Sequence, residues 1–133
     1  IAGLVFNKAE VKLTALGILI FSAITSIAAF YTGEGAEDIV ENLEGISETL
    51  IHTHEEYAET FYTLSLILGG LSLLTFILEL KKIRLSKYML IICLLMAIVG
   101  GISATYVGSS GGEIRHSEIR NDAKVIPLVT YKY

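Results

Sequence analysis

"YMLIICLLMAIVGGISATYVGSSGG", Tyr88–Gly112, is the stretch of this sequence that decides the fold. It contains no charged residue, and neither do two further apolar runs, Leu13–Tyr31 and Thr60–Leu78. Each run reaches the roughly 20 residues that a helix needs to cross the hydrocarbon core of a bilayer. The runs are apolar all round, without the polar face of a surface helix. The sequence therefore predicts transmembrane helices, and three buried helices of a soluble protein are the alternative.

Composition agrees with a membrane protein. Of the 133 residues, 53% are hydrophobic and only 18% are charged, whereas a soluble domain has about 25% charged residues. The net charge of −4 excludes a basic nucleic-acid-binding face. Cys93 is the only cysteine, so disulfides and thiolate metal sites are excluded and a packing role is predicted. The predicted fold is a single all-α transmembrane bundle with spans at about 12–32, 58–80 and 87–109.

The distribution of charge predicts the orientation. The loop Lys81–Lys87 carries four basic residues, whereas residues 32–59 contain nine Asp or Glu and no Lys or Arg. Positive charge is retained on the cytoplasmic side during insertion. In a bacterial inner membrane, the Lys81–Lys87 loop is then cytoplasmic, and residues 33–57 and the tail 110–133 are periplasmic.

The acidic periplasmic segment is predicted to be helical in part. Gly33 and Gly35 are expected to end the first span, as glycines beyond a helix C-terminus do. Apolar residues then recur at helical spacing, at Ile39, Leu43, Ile46 and Leu50. This pattern predicts an amphipathic helix, or two short ones broken at Gly45. Ser47, followed by glutamates, is predicted to cap a helix that continues into the second span.

Small residues mark one side of the third span. Two stripes repeat them every four positions: Ala97, Gly101 and Thr105, and Gly100, Ala104 and Gly108. Such stripes allow helix backbones to approach closely, so the third span is predicted to be central. Gly69 and Gly70 are candidates for the same role in the second span. Gly111 and Gly112 are predicted to break the third span, so that the tail turns back over the outer ends of the helices.

Three stretches carry a resemblance to a known family. "FYTGEGAEDIVE" after the first span, "HEEYAE" opening the second and "YVGSSGGEIRHSEIR" closing the third resemble the DUF2231 family of bacterial membrane proteins, in particular its Bacteroidetes-type members. The family layout has four helices, of which this chain would contain the last three and, in "IAGLVF", a stub of the first. The resemblance implies a link to respiratory electron transfer, because some members are fused to Rieske or cytochrome c modules. It also implies His54 and His116 as haem or metal ligands.

Two functions lead. The first is an accessory or structural subunit of a larger bacterial membrane complex, without activity of its own, in contact with lipid and other integral subunits. The second is a redox protein that holds haem b or a metal between His54 and His116. In the first, His54, His116, Arg115 and Glu118 form a latch that ties the outer helix ends together. In the second, Glu55, Glu113 or Glu118 orient the imidazoles.

Two further classes have less support from the residues. A transporter or channel needs ionisable residues at membrane depth, and a broken-helix site at Gly69–Gly70 is the only candidate. An enzyme needs a nucleophile with its base, and no Ser/His/Asp or Cys/His arrangement is apparent.

Overall fold

The computed structural model describes residues 2–40 and 47–116, and within them every regular element is a helix. A short α1 covers Ala2–Val5, followed by α2 over Ala9–Val40, α3 over Glu48–Leu80 and α4 over Ser86–Arg115. The helices α2, α3 and α4 are long and apolar enough to cross a membrane. The all-α prediction with three candidate spans is confirmed.

The long helices extend beyond the predicted spans on the acidic side. With 30 to 33 residues each, they are about 45–50 Å long, whereas the hydrocarbon core is about 30 Å thick. The prediction that Gly33 and Gly35 end the first span is wrong, because α2 continues through both to Val40. A glycine inside a helix costs only about 1 kcal/mol, which is too little to end a helix whose backbone hydrogen bonds continue.

The prediction of a break at Gly111 and Gly112 is wrong for the same reason. Helix α4 runs through both glycines to Arg115. His116 follows in an extended conformation, and its N–H donates to the Gly112 carbonyl at 2.9 Å. The outer end of α4 is therefore straight, and the turn back over the helix ends does not begin at the glycine pair.

Ser47 occupies the predicted N-cap position of α3, but the predicted side-chain cap is not formed. Ser47 has extended dihedrals, φ −89° and ψ 121°, and α3 begins at the next residue. Its hydroxyl makes no capping hydrogen bond; instead its carbonyl accepts from the N–H groups of Leu50 and Ile51. The predicted amphipathic repeat at Leu43 and Ile46, and the break at Gly45, lie outside the described residues.

Helix α3, not α4, is central. It packs against α2 on one side and α4 on the other, while α2 and α4 share few contacts over the described ranges. A Cβ added at Gly69 of α3 would overlap the Ala23 Cβ of α2, whereas one added at Gly101 of α4 would meet no atom within 4 Å. The prediction of a central third span is therefore wrong: the close approach uses a glycine of the second span.

The core lies along both faces of α3. It is built from Leu16, Leu68, Leu90 and Cys93. Cys93 is 2% exposed, which confirms its predicted packing role. Two fully buried hydroxyl groups lie beside it: Thr75 Oγ1 is 3.5 Å from Cys93 Sγ and donates to the Leu71 carbonyl at 2.6 Å, and Ser72 Oγ is 3.9 Å from the same sulfur.

An ion pair joins α2 to α3 at the basic end. Lys12 Nζ lies 3.0 Å from Glu79 Oε1, and the two side chains are only 12% and 11% exposed. The Asn7 side-chain oxygen accepts a second hydrogen bond from Lys12 at 2.8 Å, and the buried Ser86 hydroxyl donates to Glu79. Glu79 thus contacts the first turns of both neighbouring helices. This pairing satisfies two charges at the ends of the uncharged runs of α2 and α3.

Candidate functional site

The three long helices enclose a cavity at their acidic end. Its volume is about 420 Å³. Helix α2 contributes Ser26, Ala29, Phe30, Gly33, Glu34 and Ala36; α3 contributes Ile51, His54, Glu55, Ala58, Phe61 and Tyr62; α4 contributes Val107, Gly111 and Ile114. It is a place where side chains of all three helices meet.

The lining changes from apolar to polar along the helix axes. Phe30 and Phe61 lie at the level where the uncharged runs end, and the Phe30 ring stacks on Tyr62 with centroids 4.4 Å apart and planes 12° apart. The uncharged run of α3 begins at Thr60. His54 precedes Thr60 by six residues, so it lies about 9 Å closer to the acidic end of the helix. The cavity therefore extends from the ends of the uncharged runs toward the acidic ends of the helices.

His54 is held by a hydrogen bond to α4. Its Nδ1 lies 3.0 Å from Ser110 Oγ, and Ser110 Oγ in turn donates to the Val107 carbonyl at 3.1 Å. A hydroxyl carries one proton, so when that proton goes to Val107 the oxygen accepts from His54 Nδ1–H. When the Ser110 proton goes to Nδ1 instead, Nε2 carries the ring proton, so this contact fixes the position of the imidazole and is compatible with either tautomer.

Gly111 lets α4 approach the imidazole. A Cβ added at Gly111 would lie 3.1 Å from His54 Cε1 and 3.4 Å from Nδ1, closer than ordinary van der Waals contact. The same addition at Gly108, one turn earlier, would meet nothing within 4 Å. The glycine at 111 therefore serves the packing of His54 and does not end the helix.

The other predicted site residues are spread around the cavity. Glu55 lies at its rim, half exposed, with Oε2 3.7 Å from His52 Nδ1. Glu113 is half-buried on α4, and His116 is exposed at the end of that helix. The side chain of Arg115 and the whole of Glu118 lie outside the described part of the chain.

The residues of α4 that lie next to His54 are Ser110 and Gly111. Because α4 is helical through Arg115, His116 lies about 7.5 Å further along the axis than Gly111 and about 140° round the helix. The pairing of His54 with His116 on one ligand stays a prediction. Within residues 2–40 and 47–116, no group of three or more His, Cys, Asp or Glu side chains is arranged to hold a metal ion.

Comparison with known proteins adds no assignment. No family model, no curated protein and no solved structure matches this chain. The resemblance to the DUF2231 family therefore stays a prediction, and function has to be argued from the helices and the cavity.

Sequence reasoning identified His54 but missed its partners. Ser110 and Gly111 belong to "GSSGG", whose last two glycines predict a helix break. One signal pointed to the helical alternative: Gly111 follows Ala104 by seven residues, or two turns, so it prolongs a small-residue stripe of the third span. The sequence does not indicate that Phe30 of α2 lines the cavity, because an aromatic residue at that position also suits an interfacial belt.

Proposed function

We propose that this chain is a small integral membrane protein that serves as an accessory subunit of a larger bacterial membrane assembly, one concerned with electron transfer, and that it belongs to the DUF2231 family. The observation that carries the accessory role is an unused small-residue face on α4. A Cβ added at Gly100, Gly101 or Gly108 would meet nothing within 4 Å.

That face suits another helix. Between helices in lipid, association depends on close van der Waals packing, and glycines permit it. Within the described part of this chain, close approaches are made at Gly69 on α3 and at Gly111 on α4. Gly100, Gly101 and Gly108 of α4 have no such use among the described residues. Helix α4 also exposes large apolar side chains, among them Leu95, Ile98 and Ile102, which suit contact with lipid or with helices of a partner.

The assembly is testable with one pair of variants. Gly101→Leu places a large side chain on the proposed face, and Gly70→Leu makes the same change at an exposed glycine of α3 that also has open space around it. Tagged chains are purified from native membranes in mild detergent, and their mass is measured by native electrophoresis. We expect the original chain and Gly70→Leu to migrate in one large complex and Gly101→Leu to migrate near 14.5 kDa. Migration of the original chain near its own mass would contradict the proposal.

The proposed orientation places the Lys81–Lys87 loop in the cytoplasm and the acidic ends of α2 and α3 in the periplasm. It is supported by the unequal distribution of basic residues. Cysteines placed at Ser47 and Arg84, both exposed, separate the two orientations, because Cys93 is buried and contributes little background. An impermeant maleimide added to whole cells with permeabilised outer membranes is expected to label position 47 and not position 84. The reverse pattern would overturn the orientation.

The second candidate is haem or metal binding at the cavity. The supporting observation is His54, because ligand histidines commonly donate their other ring N–H to a fixed acceptor, and Ser110 Oγ lies 3.0 Å from Nδ1. A second axial histidine on the face of α4 toward His54 is not among the residues that line the cavity. Titration of the purified chain with haem decides between the candidates. A Soret shift that His54→Ala and His116→Ala both abolish supports this one, and an unshifted spectrum removes it.

A further inference from the structure

The apolar and acidic residues that line the cavity at the acidic end indicate which class of ligand it can bind. Its inner part is apolar, with Phe30, Phe61 and Val107, and its outer part carries Glu34, His54 and Glu55. The described residues that line it include neither Lys nor Arg. Among the described lining residues, an anionic head group would therefore find two carboxylates and no cation.

The acidic groups of the described lining are hydrogen-bond acceptors. The carboxylates of Glu34 and Glu55 accept only, when ionised, and His54 presents Nε2 as an acceptor in one of its two tautomers. A primary ammonium group carries three N–H donors and no acceptor, and it has the charge that the acidic rim attracts. A head group whose only charged group is a phosphate or carboxylate has the opposite requirements in both respects.

From this complementarity we infer that the cavity binds an amphiphile with a primary ammonium head group. The apolar chain lies between Phe30 and Phe61 in the edge of the hydrocarbon core, and the ammonium lies beside Glu34, His54 and Glu55 in the head-group layer. The source is either a membrane lipid, such as phosphatidylethanolamine, or a free long-chain amine. This binding is independent of the proposed assembly, because α2, α3 and α4 of one chain supply all the described lining residues.

Lipid retention on the full chain tests the inference. The protein in maltoside detergent is mixed with phosphatidylethanolamine, phosphatidylcholine or phosphatidylglycerol and examined by native mass spectrometry. Phosphatidylcholine is the matched ligand control, because its head group has the same charges but no N–H. We expect phosphatidylethanolamine to remain bound at energies that strip the other two. Equal retention of all three lipids would show a non-selective surface and overturn the inference.

Two double variants locate the site. Glu34→Gln/Glu55→Gln neutralises the acids of the cavity, and Glu56→Gln/Glu59→Gln neutralises two exposed acids of α3 outside its lining. Loss of two charge-assisted contacts is expected to weaken phosphatidylethanolamine binding about tenfold in the first variant, with no change in the second. Equal weakening in both variants would mean that general negative charge attracts the lipid, and the cavity would not be its site.

A third arm distinguishes the two sources. Dodecylamine is added to the chain with phosphatidylethanolamine already bound. Displacement of the lipid by the amine shows that both occupy one ammonium site. Binding of dodecylamine alone, lost in Glu34→Gln/Glu55→Gln, assigns the site to free amines. Failure of both ligands to bind the original chain, with its helicity intact by circular dichroism, would overturn the inference.

Discussion

Gly69→Ala should weaken the contact between α2 and α3. The added Cβ would overlap the Ala23 Cβ, and an alanine side chain has no rotamer that could move it aside. Carbon atoms pack at about 3.5–4.0 Å, so the helices have to separate by on the order of 1 Å. Overpacking of this kind costs about 1–3 kcal/mol. The gain in helix propensity, about 1 kcal/mol, offsets part of that cost.

Gly70→Ala is the matched control. It brings the same gain in propensity, but its Cβ would meet no atom within 4 Å. The difference in unfolding free energy between the two variants therefore isolates the packing cost, about 1–3 kcal/mol. Unfolding is followed by circular dichroism at increasing temperature in one detergent, and by titration with sodium dodecyl sulfate.

A double variant tests the cause. Ala23→Gly removes the atom that Gly69→Ala would overlap, so the combination should be more stable than the sum of the two single changes predicts. A coupling energy of zero would mean that the two residues do not touch. Gly69→Ala as stable as Gly70→Ala would refute the placement of Gly69 at the α2–α3 contact.

Three further predictions concern other contacts of the helices. Lys12→Met should destabilise the chain by about 1–3 kcal/mol, because it leaves the buried Glu79 carboxylate without its cation; Lys12→Met/Glu79→Met should recover part of that loss in the same thermal assay. Gly101→Leu should leave the unfolding free energy within about 0.5 kcal/mol of that of the original chain, as surface changes do; a large loss of stability would mean that α4, not α3, is the central helix. Gly111→Ala should shift the ring resonances of His54 in NMR spectra, whereas Gly108→Ala should leave them in place.

The membrane helices were predictable because lipid imposes a simple requirement. A helix in hydrocarbon needs about 20 residues without charge, and three such runs are visible in the sequence. The start of α3 was predictable as well, since Ser47 precedes acids that favour a helix N-terminus. Both predictions depend on local sequence alone.

The helix ends and the central helix were not predictable in the same way. Gly33 and Gly111 suggested ends, but a single glycine does not outweigh the hydrogen bonds of a long helix. Small residues show where a close approach is permitted and do not show which partner makes it. Gly69 and Gly101 therefore looked alike in the sequence, and only the positions of Ala23 and the other helices separate them.

The ion pair of Lys12 with Glu79 was within reach of sequence reasoning. Glu79 is the one acid in "ELKKIRLSK", and consecutive spans are antiparallel, so the end of α3 must lie at the level of the start of α2. Lys12 and Glu79 are therefore expected at the same depth on adjacent helices, where they can form an ion pair. The contacts of His54 with Ser110 and Gly111 could not be predicted in this way, because they depend on the rotation of α4 about its own axis.

The contacts at the two ends of α3 are linked mechanically by the helices between them. If Lys12–Glu79 acts as the pivot, Gly69 lies about 15 Å from it and Tyr62 about 25 Å from it along α3. A separation of about 1 Å at Gly69 then becomes roughly 1.7 Å at the stacked rings of Phe30 and Tyr62, by the ratio of those lengths. Gly69→Ala should therefore open the cavity at the acidic end as well as weaken the helix contact.

Distances between spin labels test this lever. Labels at Thr32 and Glu59 report on the separation of α2 and α3 at the acidic end, and labels at Val11 and Leu80 report on the basic end; all four positions are exposed. In Gly69→Ala the first distance should increase by about 2 Å while the second stays unchanged, because helices are stiff over this length and the ion pair holds one end. An equal increase at both ends would mean that the helices separate as parallel rods. The ion pair would then be too weak to act as a pivot, and the cavity would widen no more than the core.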